Sequence, residues 1–236
     1  MNSRDIEHHD DMPNVDFATV IAVAIHDMKN SLSLLMQSIE QISDTLPSEY
    51  KEASENLTSA HYEAGRMNTA LVQILGLYRS SIDALPINVD EVFVSDLINE
   101  IVDSNTNYIK QKDINFSIVV DEELSWFFDR ELIYLLLYDM VINAMRYGCK
   151  NLAINAGIEN QGLTVTITDD GPGYPESMLK TCELALVDHA ISQGRTGLGL
   201  FFARLIANSH KNNGLHGSIQ LSNAESGGSV FTLYLP

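Results

Sequence analysis

The chain has 236 residues, 32 acidic against 14 basic, a formal net charge of −18 and 45% hydrophobic residues. That length suits one large domain or two small ones, and so acidic a chain has no basic field with which to bind nucleic acid or an anionic membrane. The two cysteines, Cys149 and Cys182, have neither metal-ligand spacing nor the density of a disulfide scaffold, as expected of a reducing cytoplasmic compartment.

Residues 1–13 read as a polar, acidic tail; His8-His9-Asp10-Asp11 has no second cluster to complete a metal site. The start has no apolar signal segment. The longest apolar run, Phe17 to Ile25 with one threonine, falls short of the ~18 residues a membrane span needs. From Ala18 the apolar residues Ile21, Ile25, Met28, Leu32, Leu35, Ile39, Ile42 and Leu46 follow in alternating steps of three and four, which is a heptad seam. Asp44-Thr45-Leu46-Pro47-Ser48 breaks that helix. A second seam runs through Tyr50, Ala53, Leu57, Ala60, Ala64, Met67, Leu71, Ile74 and Tyr78. The pattern predicts an antiparallel helical hairpin over 14–83. A lone hairpin cannot bury both stripes well. Two copies can, so a homodimeric four-helix bundle is expected.

Ala84-Leu85-Pro86 marks a linker over 84–90. Residues 91–236 then form a second domain of mixed pattern. Ser95 to about Lys110 reads as a helix, Asn115 to Val120 as a strand, Asp129 to Tyr147 as an apolar helix and Asn151 to Ala156 as a strand. Leu163 to Thr168 alternates strictly, as a half-buried strand does. Gly197 to Asn208 reads as a helix, and Ser218 to Leu221 and Val230 to Leu235 as closing strands. The fold class is α+β: a helical hairpin followed by an α/β sandwich with mainly antiparallel strands.

His26 lies one step off the first seam, at an outward heptad position, with Asp27 beside it and Asn30 one turn on. A solvated helix face explains such a group. So does nucleophilic chemistry: a neutral ring nitrogen attacks, while a carboxylate holds the other ring N–H and fixes the tautomer. Asp27 is the adjacent carboxylate, Asn30 can orient a water, and Lys29 lies close enough to pair with phosphate.

Asp139 and Asn143 share one face of an otherwise apolar helix, and Arg146 lies one turn further. Polar groups there need partners, which a metal–phosphate group supplies; water at a domain rim is the alternative. Asp169 ends the alternating strand before Gly171 and Gly173, where its carboxylate can accept from an exocyclic amine such as that of adenine. Turns rich in Asp and Gly are common, so this signal is weak alone. Arg195-Thr196-Gly197-Leu198-Gly199 opens a helix, where free N–H groups favour phosphate. No strand immediately precedes it, which excludes a dinucleotide fingerprint, and there is no Walker A lysine.

Taken in order, these segments resemble the catalytic core of a sensor histidine kinase over roughly residues 14–236. His26-Asp27 resembles the H-box, Asn143-Ala144-Met145-Arg146-Tyr147 the N-box, Asp169-Asp170-Gly171-Pro172-Gly173 the G1 box and Thr196-Gly197-Leu198-Gly199-Leu200 the G2 box. His216-Gly217-Ser218-Ile219 and Gly228-Ser229-Val230-Phe231 resemble the end of the ATPase domain. The resemblance implies a Bergerat-type sandwich that holds ATP and Mg²⁺ and donates the γ-phosphate to His26, from which an aspartate of a response regulator takes it. It implies that Asn143 holds Mg²⁺, Asp169 contacts adenine with Ser229 nearby, and Arg146 and the backbone around Gly197 and Gly199 contact phosphates. Asp27 with Asn30 resembles a pattern tied to regulator dephosphorylation, so a bifunctional kinase and phosphatase is expected, its input coming from a separate sensor protein. The alternative is a phosphotransfer or phosphatase module with a vestigial ATP site.

The chain departs from the family pattern at four places. Ser31 stands where a proline is usual, so a bend there is in question. Asp139 stands where the kinases carry Asn and related ATPases Glu, and either activates water or joins the Mg²⁺ shell. Arg195 replaces a glycine, and no Phe-rich segment lies between Gly173 and Gly194. Of the other histidines, His61 is expected to be solvated, His189 to lie in the lid, and His210 and His216 to be helix-end and turn residues.

Overall fold

The computed structural model describes residues 17–47, 49–82, 85, 87–183 and 198–236. Two long helices, α1 (Phe17–Thr45) and α2 (Lys51–Ile82), pack as the hairpin. α1 runs unbroken through Ser31, whose hydroxyl donates to the Asp27 carbonyl at 2.9 Å, so the missing proline leaves a continuous helix. The chain reverses at Pro47, whose carbonyl accepts the Tyr50 N–H at 3.0 Å. Within one chain the seam is only partly covered. Ile39 is 8% exposed, but Met28 is 51%, Met67 59% and Ile74 45% exposed.

The second unit opens with β1 (Asp90–Phe93), α3 (Val94–Asp103) and α4 (Thr106–Lys112), then β2 (Asn115–Val119) and β3 (Ser125–Phe128). β1 and β3 form a small antiparallel pair that the sequence pattern did not predict. The single helix expected from Ser95 to Lys110 is two helices. Asn105 leaves helical geometry at φ −117°, ψ 6°, and its buried amide donates to the Ile101 carbonyl at 2.7 Å. A side chain that bonds back to the preceding turn competes with helix continuation, and here it wins.

α5 (Arg130–Arg146) begins at Asp129, whose carboxylate accepts the Leu132 N–H at 3.0 Å as an N-cap and the Asn88 N–H at 2.8 Å. β4 (Asn151–Glu159), β5 (Gly162–Asp169), α6 (Glu176–Glu183), α7 (Leu198–Ser209), the short β6 (Lys211–Asn212) and β7 (Leu215–His216), and β8 (Ser218–Asn223) and β9 (Ser229–Leu235) complete the unit. Five strands form one sheet in the order β2-β4-β5-β9-β8, with β2 parallel to β4 and the other pairs antiparallel. One register row crosses all five strands as Ile118, Ile154, Ile167, Phe231 and Leu221. The sheet's buried residues join those of α3, α5 and α7 in one core. No helix among the described residues is long and apolar enough to cross a membrane.

α2 carries a second stripe besides its heptad seam. Tyr62, Gly65, Thr69 and Gln73 are buried on the face turned to the α/β unit. The Tyr62 ring stacks on Tyr108 of α4 at 4.4 Å, and its hydroxyl donates to the Ile142 carbonyl of α5 at 3.1 Å. Gly65 admits the Tyr138 hydroxyl, which would lie 2.8 Å from a Cβ at that position. His61, expected to be solvated, is instead half-buried, with Nε2 2.9 Å from Glu40 Oε1 across the hairpin.

Candidate nucleotide site

Strand parity positions the central acid. Along β5 the residues Leu163, Val165, Ile167 and Asp169 alternate inward, so Asp169 lies on the core face at the strand's last position and is 8% exposed. Its Oδ1 accepts the Gly171 N–H at 2.7 Å, and Oδ2 accepts the Ser229 hydroxyl from the start of β9. Ser229 thus lies beside Asp169. Gly228, at φ +94°, brings the β9 backbone so close that a Cβ would collide with the Asp169 carbonyl.

Asp170, by contrast, is exposed and ties the neighbouring strand. It accepts the Lys150 N–H at 2.7 Å, the Asn151 N–H at 2.9 Å and the Asn151 amide at 2.6 Å. Those bonds, the Asn151 N–H first, hold its carboxyl below the ordinary range. Only one of the two adjacent acids therefore faces the site. Downstream, Gly173 takes φ +77° against Asn223, whose amide accepts the Tyr174 N–H at 2.7 Å and donates to the Tyr174 carbonyl at 2.9 Å. Asn223 anchors the segment leaving the glycine turn. It sits on β8 outside any motif, so no sequence signal marked it.

Asp139 and Asn143, one turn apart, share a face of α5, and the Asn143 side chain favours the charged Asp139 carboxylate. Burial pushes the Asp139 carboxyl up to about 6, against the opposing effects of the Gln73 amide, Arg66 and Asn143. Gln73 Nε2 donates to Asp139 Oδ2 at 3.1 Å. Gly199, in the first turn of α7, meets the same oxygen: a Cβ there would lie 2.5 Å from it. Nearby, burial first, then Asp169 and Asp170, pushes the Cys149 thiol up to about 11.

At the end of α5 Arg146 and Tyr147 are exposed, with the guanidinium 5.8 Å from the Tyr147 ring centre. The Tyr147 carbonyl would lie 3.9 Å from a Cβ on Gly171, so this helix end abuts the glycine turn. Arg195, Thr196 and Gly197 lie outside the described residues, as do His189 and the side chains of Leu198 and His26. On α1, Asp27 and Asn30 are exposed. The arrangement brings together Asp169, Gly171 and Ser229 at one strand end, and Asp139, Asn143 and Gly199 where α5 meets α7. A carboxylate and an amide oxygen make a hard donor set that fits Mg²⁺. Gly199, without a Cβ, lets the first turn of α7 lie against the Asp139 carboxylate, and the free N–H groups of such a turn suit phosphate.

Residues 128–236 match the family model of histidine kinase-, DNA gyrase B- and HSP90-like ATPases. That stretch is similar to the ATPase domain of histidine kinases. Sensor protein SrrB of Staphylococcus aureus (strain NCTC 8325 / PS 47) is 27% identical over 98% of this chain, which spans 39% of SrrB. The nucleotide-free catalytic domain of histidine kinase ThkA is 26% identical over 63% of this chain and 95% of that one, with a TM-score of 0.53. Acinetobacter baumannii histidine kinase AdeS shares the fold over 87% of this chain and 95% of that one, at 21% identity and a TM-score of 0.57. ThkA in complex with response regulator protein TrrA shares it over 92% of this chain and 61% of that one, at 22% identity and a TM-score of 0.56. The matched residues thus include both the Asp169 turn and the Asp139–Asn143 face of α5.

Proposed function

We propose that the chain is a two-component histidine kinase core that moves the γ-phosphoryl group of ATP to His26 and then to an aspartate of a response-regulator receiver domain. The observation that carries this reading is Asp169, buried at the end of β5 and held through both carboxylate oxygens beside the glycine turn. A carboxylate so fixed presents its remaining lone pairs to an adenine amine. It rejects bases that offer an acceptor there, since an unpaired buried acid is costly. Mg²⁺, held by Asn143 with Asp139 beside it, would neutralise the phosphate oxygens as charge develops. The backbone N–H groups of Gly197 and Gly199 and the Arg146 guanidinium bind the phosphates, with Arg195, Thr196, Leu198 and Tyr147 around them.

The neutral ring nitrogen of His26 attacks phosphorus. The new N–P bond forms as the bond to the ADP oxygen breaks, and Asp27 accepts a hydrogen bond from the other ring N–H. Residues 14–83 form the dimerising, phosphoaccepting hairpin, 84–90 the linker and 91–236 the catalytic domain of a cytoplasmic homodimer. The exposed Asp27 and Asn30 support a second activity, regulator dephosphorylation, with Asn30 orienting the water. SrrB is named a sensor protein and ThkA is seen with a response regulator; both accord with such a partner for this chain. With γ-labelled ATP and Mg²⁺ the protein is expected to take up acid-labile, alkali-stable label that a receiver domain then removes. His26→Ala should take up none. No label on the wild type would overturn the kinase reading in favour of a phosphotransfer or phosphatase module.

A further inference from the structure

Gln73 belongs to the hairpin, yet its amide ends on the ATPase domain. Its Nε2 donates to Asp139 Oδ2 at 3.1 Å. A Cβ on Gly199 would stand 2.5 Å from that oxygen and 3.6 Å from the same amide nitrogen. Three elements therefore converge on one carboxylate oxygen: α2, α5 and the opening turn of α7. The stripe that continues this contact along α2 is Tyr62, Gly65, Thr69 and Gln73; apart from the Tyr62 ring, stacked on Tyr108, it is small or polar. At its Gly65, Thr69 and Gln73 end such a surface separates at low cost, because its polar groups regain hydrogen bonds from water while little apolar area beyond the Tyr62 ring is exposed.

We propose that the Gln73–Asp139 hydrogen bond is a latch that docks the ATPase domain on α2 while the nucleotide site is empty, and that magnesium-nucleotide releases it. This rests on the reading of Asp139 and Asn143 as the face turned to the metal and phosphates. An amide N–H and a cation seek the same oxygen, and Gly199 leaves little room beside it. A divalent ion wins, because its attraction to a carboxylate exceeds that of a neutral dipole. Release frees the domain from α2 to approach α1, where His26 lies. By linkage, a chain without the latch binds nucleotide more tightly, since no docked state must first be broken.

The test compares the full chain with Gln73→Ala and with Gly65→Leu. The second drives a side chain into the Tyr138 hydroxyl and opens the same interface without touching Asp139. Calorimetry gives the Kd for Mg²⁺ with a non-hydrolysable ATP analogue. Labels at Glu55→Cys and Ser222→Cys, in a Cys149→Ala, Cys182→Ser background, report the distance between hairpin and domain. Without nucleotide the unsubstituted interface is expected to give a short distance that lengthens on adding the magnesium analogue. Both variants should be long throughout and bind about tenfold more tightly. Unchanged distance and affinity in both variants, with normal binding by the wild type, would overturn the latch. Weaker binding by Gln73→Ala at an unchanged distance would overturn it too, making Gln73 a direct contact. A wild type that binds no magnesium-nucleotide defeats the reading of the site itself, and the latch with it. Should Gln73→Ala fail to fold, Gly65→Leu decides.

Discussion

His210 is buried after the last turn of α7, where its Nε2 accepts the Asp129 N–H at 3.0 Å. That leaves the ring proton on Nδ1, which donates to the Ile206 carbonyl at 2.8 Å. The ring is held neutral, and burial lowers its pKa below the ordinary histidine value. The unfolded chain binds a proton there near pH 6.5 and the folded one does not until lower pH. Stability is therefore full above about pH 7 and is lost as pH falls from roughly 6.5 towards the folded pKa. His210→Ala should cost about 1–3 kcal/mol at pH 7.5, since it leaves the Asp129 N–H unpaired. It should also flatten that acid limb in urea titrations repeated from pH 7.5 to 5.5. Asp169 makes a second prediction at this scale. Asp169→Ala is expected to raise the Kd for magnesium-nucleotide by about 10- to 100-fold, and Ser229→Ala, which frees one oxygen, by less, as calorimetry would read. The placement of Asp169 was legible because period two puts it on the core face next to glycines. That of Gln73 was not, because a glutamine off the heptad seam looks like any solvated residue until α5 is set against it.

At the scale of elements, α2 has two jobs on two faces. Its apolar seam was plain in the sequence, since steps of three and four need only the chain itself. Its polar docking stripe was not, because Tyr62, Gly65, Thr69 and Gln73 carry no shared hydropathy. Tyr62→Phe keeps the stack on Tyr108 but removes the hydrogen bond to Ile142. It should cost about 1 kcal/mol in urea unfolding. The break between α3 and α4 escaped pattern reading for a related reason: it depends on one buried amide turning back on its own helix. The sheet is the opposite case. β5 and β9 alternate so regularly that their inward residues name themselves, and Phe231, in the row that crosses five strands, anchors them. Phe231→Ala is expected to destabilise the domain by about 3–5 kcal/mol, measured by denaturant titration.

At the scale of the whole molecule, the exposed seam residues Met67 and Ile74 join the proposed bundle. Met67→Glu with Ile74→Glu places charges in a stripe meant for a second copy. It should convert a dimer to a monomer in analytical ultracentrifugation while nucleotide binding persists. A wild type that sediments as a monomer would refute the bundle.

The order of segments alone determined that this chain joins an amphipathic hairpin to an α+β sandwich, because periodicity and glycine-acid turns are local properties of the chain. The tertiary structure decided how the two units meet. Half-burying Asp139 favours a donor, and which residue supplies it depends on a contact between segments 66 residues apart in the chain. No local pattern encodes such a pairing.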